Sequence, residues 1–139
     1  MLHRLFLIVT LLLSLAPGSP LYAEEPEGEA GPKKALYLAL ADKFVVNVQD
    51  GKRSRFMQVK VKVMTHDEKV SAAIEGNLPA FSHAMIMLLA HQDADTMRNV
   101  EGREGVRLQA LADLQQVLND VAALDSGLEA VYFTDFVIQ

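Results

Sequence analysis

The feature that most constrains the fold is the C-terminal run from Val131 to Gln139, in which nearly every side chain is β-branched or aromatic. Such side chains fit the pleated, packed surface of a β-strand. Strict alternation divides the apolar ones between two faces, with Val131, Phe133 and Val137 on one and Tyr132, Phe136 and Ile138 on the other. A strand that is apolar on both faces is typical of a position covered on both sides. The run therefore predicts the central strand of a sheet.

Composition limits the class of protein to which this strand belongs. A length of 139 residues allows one domain, and an apolar content of 50% is sufficient for a packed core. The net charge of −5 and the pI near 5.3 argue against a nucleic-acid partner, which requires a basic footprint. The absence of cysteine excludes disulfides, thiol nucleophiles and thiolate metal sites.

The N-terminal residues 1–23 have the order of an export signal. Arg4 precedes an apolar run from Leu5 to Ala16, Pro17 interrupts it, and Ala23 ends a possible cleavage site. As a helix the run covers about 18 Å, which is less than the roughly 30 Å of a bilayer core. We favour removal of the segment over its retention as a short membrane anchor. In either case we expect a domain in the bacterial periplasm, held at the inner membrane if the segment is retained.

Residues 24–34 are expected to form a flexible acidic linker, because charge, proline and glycine leave little to bury. The folded domain is then residues 35–139. Its first elements are a short strand at Leu36–Leu38 and a stronger one at Phe44–Val48. Asp50-Gly51 is a turn dipeptide, which we extend into a basic loop through Arg55.

The segment from Phe56 to Met64 alternates regularly and predicts a strand antiparallel to Phe44–Val48. Met57 begins its apolar face, and Lys60 and Lys62 lie on its polar face. We interpret the two lysines as a solvated face that protects a sheet edge. The alternative is a docking face for an acidic partner.

The middle of the chain is predicted to be helical, with helices at about Glu68–Glu75, Asn77–His91 and Val100–Ala123. Thr65 or Asp67 can cap the first of them. On the longest helix, apolar side chains recur at spacings of three and four, which is typical of a core-facing stripe. These side chains are Leu111, Leu114, Val117, Leu118 and Val121.

Local signals support these helix boundaries. Pro79 lies in the first turn of the second helix, and Asn99 can cap the third. Gly102 and Gly105 each cost a helix about 1 kcal/mol, so we expect a packing or bending reason for them. We interpret Asp93–Met97 as a connection or a very short strand. The element order predicts a small α+β domain with a three- to four-stranded sheet and helices mainly on one face.

The histidines do not form a recognisable metal site or catalytic set. His83 and His91 lie eight residues apart on one helix, or about 12 Å along its axis, and cannot share one ion. His66 has only a short-range partner, Asp67. Ser82 and His83 are helix neighbours whose side chains point apart. We therefore assign no catalytic, cofactor-binding or metal-binding residue, and expect no cofactor.

Asp135 is unusual, because it places a carboxylate within the apolar C-terminal strand. We expect it to pair with a lysine or arginine of the neighbouring strand or to lie on a bulge, since a buried charge needs a partner. A role at an interface in a ring is the alternative. Met85, Met87 and Met97 are interpreted as core-filling side chains, with an adaptable binding surface as the alternative.

Three segments in this order and spacing resemble the FliL family of flagellar basal-body-associated proteins. They are the strand Phe44–Val48, the helix opening Glu101–Arg107 and the closing strand Val131–Gln139. The resemblance covers about Tyr37 to Gln139. It implies a stomatin-like (SPFH-like) α+β domain in the periplasm that assembles into rings.

The same resemblance implies a non-enzymatic partner of the flagellar stator units and basal-body proteins that supports rotation and motility. The chain departs from the family in its N-terminal apolar run, because family members usually keep a full transmembrane helix. A free periplasmic binding or chaperone-like protein with the same fold is therefore the alternative, and an enzyme is the weakest hypothesis.

Overall fold

The computed structural model describes residues 31–139, which form a four-stranded antiparallel sheet and four helices. The elements in chain order are β1 Leu36–Ala39, β2 Phe44–Asp50, β3 Arg53–Thr65, α1 Glu68–Gly76, α2 Leu78–Ala90, α3 Ala94–Arg98, α4 Val100–Ala122 and β4 Ala130–Ile138. The predicted α+β class and sheet size are confirmed.

The central strand is β3 and not β4, so the prediction for the C-terminal strand is wrong in this respect. β3 is 13 residues long and pairs with three partners. Its residues 62–65 pair with β1 and its residues 53–59 pair with β2. β4 pairs with residues 57–64 and overlaps both, so it occupies the other edge. Because β3 is paired on both edges, its lysines protect no free edge.

A β-bulge in β4 explains why this strand appeared apolar on both faces. Gln58 lies opposite Val137 and Lys60 opposite Thr134, so β4 has one residue more than β3 between these pairs. Asp135 adopts a φ of +49° there, a left-handed conformation that aspartate tolerates better than most residues. An extra residue shifts the alternation of side chains by one position.

The shift brings the larger apolar side chains of β4 onto one face. Val131 is buried, and the partly buried side chains packed against the core are Phe133, Phe136 and Ile138. Tyr132 and Val137 are exposed on the opposite face. Within the described residues only one face of β4 is covered, so the prediction of a cover on both faces is wrong. That prediction assumed unbroken alternation, which assigns the residues after the bulge to the wrong faces.

The β2–β3 hairpin is tighter than predicted. The turn consists of Gly51 and Lys52, and Asp50 already pairs with Arg53. Gly51 has a φ of +58°, which glycine adopts without steric cost and which two-residue hairpin turns require. The basic residues up to Arg55 therefore belong to β3 and not to a loop.

The helices cover one face of the sheet and form a single core with it. The buried strand residues alternate with exposed ones along β2 and β3. The largest fully buried side chains are Met57, Ile74, Phe81, Met85, Leu89, Met97, Leu114, Leu118 and Leu128. Ser82 of α2 donates to the carbonyl oxygen of Leu40 at 2.7 Å, which fixes the helix to the segment after β1.

Side-chain caps define the helix starts. The Asp67 carboxylate accepts from the Lys69 amide at 2.8 Å, and Asn99 accepts from the Glu101 amide at the same distance. The segment interpreted as a connection or strand is instead the helix α3. Asp93 caps it, and its Ala94 and Met97 are buried at a helical spacing of three.

The core stripe of α4 begins earlier than predicted. Val106, Ala110, Leu114 and Leu118 are buried, whereas Val121 is exposed. Leu111 and Val117 are half-buried beside the core. The first turns of α4 therefore pack more closely than a stripe starting at Leu111 would require.

The two glycines of α4 are expected to respond to alanine in opposite directions. A Cβ atom at Gly102 would overlap the carbonyl oxygen of Thr96, whereas one at Gly105 would meet nothing within 4 Å. Gly102→Ala should lower the free energy of unfolding by about 1–3 kcal/mol through overpacking. Gly105→Ala should raise it by about 0.5–1 kcal/mol through helix propensity. Urea denaturation of both variants tests this pair, and equal shifts of the same sign would contradict it.

Candidate interaction surface

The sheet face opposite the helices is uncovered within the described part of the chain and carries large apolar side chains. We call this surface the open face. Its exposed apolar residues are Tyr37, Val45, Phe56, Tyr132 and Val137, with Phe56 exposed by 58%. Scattered exposed apolar residues are ordinary, but a set on one flat face is typical of a contact surface.

The strand register groups part of this set near the C-terminus of β4. Val45, Gln58 and Val137 lie side by side across β2, β3 and β4. Phe56 lies in the next row, where its amide donates to the carbonyl oxygen of Gln139 at 3.0 Å and its carbonyl oxygen accepts from the Gln139 amide at 2.8 Å. Phe56 therefore stands beside Val137 on a face fixed by backbone hydrogen bonds.

A second group lies near the other end of β3. The rings of Tyr37 and Tyr132 have centroids 6.1 Å apart and are tilted by 47°. Lys62 pairs with Ala39 on one side and with Tyr132 on the other. This end of the open face therefore combines an aromatic pair with an exposed cation.

Between the two groups, Lys60 and Asp135 form an ion pair with a distance of 2.6 Å. Hydrogen bonding to the Lys60 ammonium, together with its charge, lowers the pKa of Asp135, and Asp135 likewise raises the pKa of Lys60. The Asp135 side chain is 67% exposed, so the pair contributes little to stability. Asp135 is predicted to pair with a cation of the neighbouring strand or to lie on a bulge, and the structure shows both. It is not buried, however.

A separate charge cluster on the helical side joins the β2–β3 hairpin to α3. Asp50 accepts from Arg55 at 3.0 Å and from Arg98 at 3.1 Å. Hydrogen bonds from Arg98 and Arg55 lower the pKa of Asp50. These contacts hold the hairpin in place, because the same carboxylate binds a side chain from each element.

Two of the three histidines in the described part of the chain make side-chain hydrogen bonds. His66 pairs with Glu129 at 2.9 Å, and the pKa of Glu129 is lowered by this hydrogen bond. Nδ1 of His91 lies 2.5 Å from the carbonyl oxygen of Met87, and His83 is exposed. Among residues 31–139, no three histidine or acidic side chains are grouped to hold a metal ion.

The methionines divide between two environments. Met85 and Met97 are fully buried, so core filling is confirmed for them. Met87 is 47% exposed on α2 and does not fill the core. Alternation and helical spacing in the sequence show which of these side chains share a face, but they do not show which faces lack a cover.

No helix of the part that the structure describes is long and apolar enough to cross a membrane. The open face is a flat surface that combines apolar and charged side chains. Such surfaces define an interaction domain of the α+β class.

The chain belongs to the FliL family. The model of this family, described as flagellar basal body-associated protein FliL, matches residues 37–139. The chain is also 26% identical over 110 residues to the flagellar protein FliL of Aquifex aeolicus (strain VF5). The aligned part covers 79% of this chain, but the chain spans only 65% of the length of that curated relative.

Membership confirms the predicted resemblance, and the family to which the chain belongs is described as flagellar basal body-associated. FliL proteins are flagellar accessory proteins and are not known as enzymes, which agrees with the prediction of a non-enzymatic protein.

Proposed function

We propose that this protein associates with the flagellar stator units and supports flagellar rotation. The observation that carries the proposal is the open face, an uncovered sheet surface with apolar groups at both ends in a member of a basal-body-associated family. A partner that covers Phe56 and Val137 would remove apolar surface from water, which is the main driving force for protein association.

The proposed mechanism is a shift in the population of stator states. A protein that binds the engaged state of a stator unit better than the idle state favours engagement by the difference in binding free energy. Several copies arranged as a ring around one unit would multiply this difference. We propose that the domain is stomatin-like and forms such a ring, as the family resemblance implies.

The proposed placement is the bacterial periplasm, next to the inner membrane. Residues 1–23 are proposed as an export signal or short anchor, residues 24–34 as the linker and residues 35–139 as the periplasmic domain. Of these segments, residues 1–30 lie outside the part that the structure describes. A linker of this length could span roughly 35 Å, which would let an anchored domain reach a membrane-embedded unit.

Fractionation of the native protein combined with cross-linking in cells tests the proposal. We expect the protein in the inner-membrane fraction, cross-linked to stator units, with the mass of its N-terminus showing whether residues 1–23 remain. A processed monomer in the periplasmic fluid without flagellar partners would contradict the proposal and favour a free binding or chaperone-like protein.

A further inference from the structure

The exposed side of the helix α2 includes large apolar side chains and carries no acidic or basic residue other than His83. Its 13 residues include no aspartate, glutamate, lysine or arginine. Phe81, Met85 and Leu89 face the core, whereas Ile86 and Met87 are exposed. A surface helix normally carries polar groups on its outer face, so this side of α2 resembles a surface that another molecule covers.

A groove runs between this side of α2 and α4. It has a volume of about 530 Å³, and its lining includes Met87 and Leu88 of α2 and Gln109, Asp113, Gln116 and Val117 of α4. Most of its lining is apolar, with Met87, Leu88 and Val117 as the large apolar side chains. A shallow groove with an apolar floor between two helices suits the apolar stripe of a third helix.

The charges around the groove have one sign. α2 has no charged residue, and residues 108–122 of α4 contain Asp113 and Asp120 but no lysine or arginine. Gln109 donates to Asp113 at 2.7 Å and Gln116 donates to Asp120 at 2.8 Å, which keeps both carboxylates on the α4 rim. These amides leave the negative charges uncompensated, so the rim favours cations.

We propose that this groove binds an amphipathic helix of a partner protein, whose apolar stripe covers Met87 and Val117 and whose lysine or arginine residues face Asp113 and Asp120. Flexible methionine side chains adapt to such stripes, as an exposed Met87 would. The acidic side chains along the groove require a partner helix with basic residues, and the apolar lining of the groove requires an apolar stripe on that helix.

A second copy of this chain does not fit the groove as well. Within the described residues, α1 has one lysine against two glutamates, and α4 has two arginines against four acidic residues. α2 is uncharged, and α3 is only five residues long. No described helix therefore combines an apolar stripe with net positive charge, which favours a different protein as the partner. The groove belongs to the helical layer and does not depend on the function proposed for the open face.

Titration with a synthetic leucine–lysine peptide of about four helical turns, with its leucines on one face, tests the groove directly. Heteronuclear NMR of the purified protein should show the largest amide shifts at Met87, Leu88 and Val117. Met87→Gln should weaken binding by roughly fivefold to tenfold, because apolar contact area is lost. Asp113→Asn should weaken it by a smaller factor that disappears at high salt.

Leu108→Gln is the matched control, since Leu108 is a 52% exposed apolar residue of α4 that does not line the groove. This variant should bind like the parent protein. A peptide of the same composition without a stripe, and one with glutamate in place of lysine, should each bind at least roughly tenfold more weakly. Equal effects of Met87→Gln and Leu108→Gln, or equal binding of the glutamate peptide, would overturn the proposal.

Discussion

Replacing Phe81 by alanine is expected to lower the free energy of unfolding by about 3–5 kcal/mol. Phe81 is fully buried on α2 and is the largest side chain in the fully buried core. Its removal loses apolar contact and leaves a cavity that other core side chains, such as Met85 one turn further along α2, can fill only in part. Because small domains are stable by about 5–15 kcal/mol, the variant should be close to unfolding at elevated temperature.

Phe56→Ala is the matched control, because it removes the same side chain from an exposed position of β3. It should lower the free energy of unfolding by less than about 1 kcal/mol, because the side chain of Phe56 is already largely exposed to water in the folded protein. Urea denaturation followed by far-ultraviolet circular dichroism measures both variants. A similar loss in the two would mean that the open face is packed, which would remove the basis of the proposed interaction surface.

Deletion of the protein should leave filaments intact but reduce swimming and swarming, most strongly under viscous load. Restoring the parent chain should restore motility, whereas a chain with Phe56→Gln and Val137→Gln should not. These substitutions remove apolar contact area from one end of the open face without adding charge, and both positions are exposed. The expected result is motility close to that of the deletion strain at an unchanged protein level.

Val100→Gln serves as the control for this experiment. Val100 is more exposed than Phe56, at 71%, but it begins α4 and does not belong to the open face. This variant should restore motility as the parent chain does. Normal motility of the deletion strain under load would contradict the proposed function itself. Full complementation by the double variant would instead remove only the assignment of that function to the open face.

Most helix ends could be predicted because their causes are local. Asp67 and Asn99 accept hydrogen bonds from amides two residues further along the chain, and Pro79 lies in the first turn of α2. The capping aspartate of α3 was equally visible as Asp93, but the five-residue helix was too short for a periodic pattern. The capping residue was therefore present in the sequence, but without a periodic apolar pattern it was not interpreted as the start of a helix.

The ion pair of Asp135 with the neighbouring strand could also be predicted, because a carboxylate within an apolar strand is stabilised by a nearby cation. Its bulge could only be offered as an alternative. A bulge is recognised only when two paired strands are compared. The pairing of β4 with Gln58 and Lys60 cannot be derived from the sequence. That register determines that Phe136 faces the core and that Val137 is exposed.

The element types other than α3, the family and the absence of thiol chemistry could be derived from the sequence alone, because they follow from local side-chain chemistry and from residue order. The folded structure was needed to show that β3 is the central strand and that, within residues 31–139, one sheet face is uncovered and α2 keeps apolar side chains exposed. The reason is that alternation and helical spacing mark which side chains share a face. Which faces find a partner depends on contacts between residues far apart in the chain.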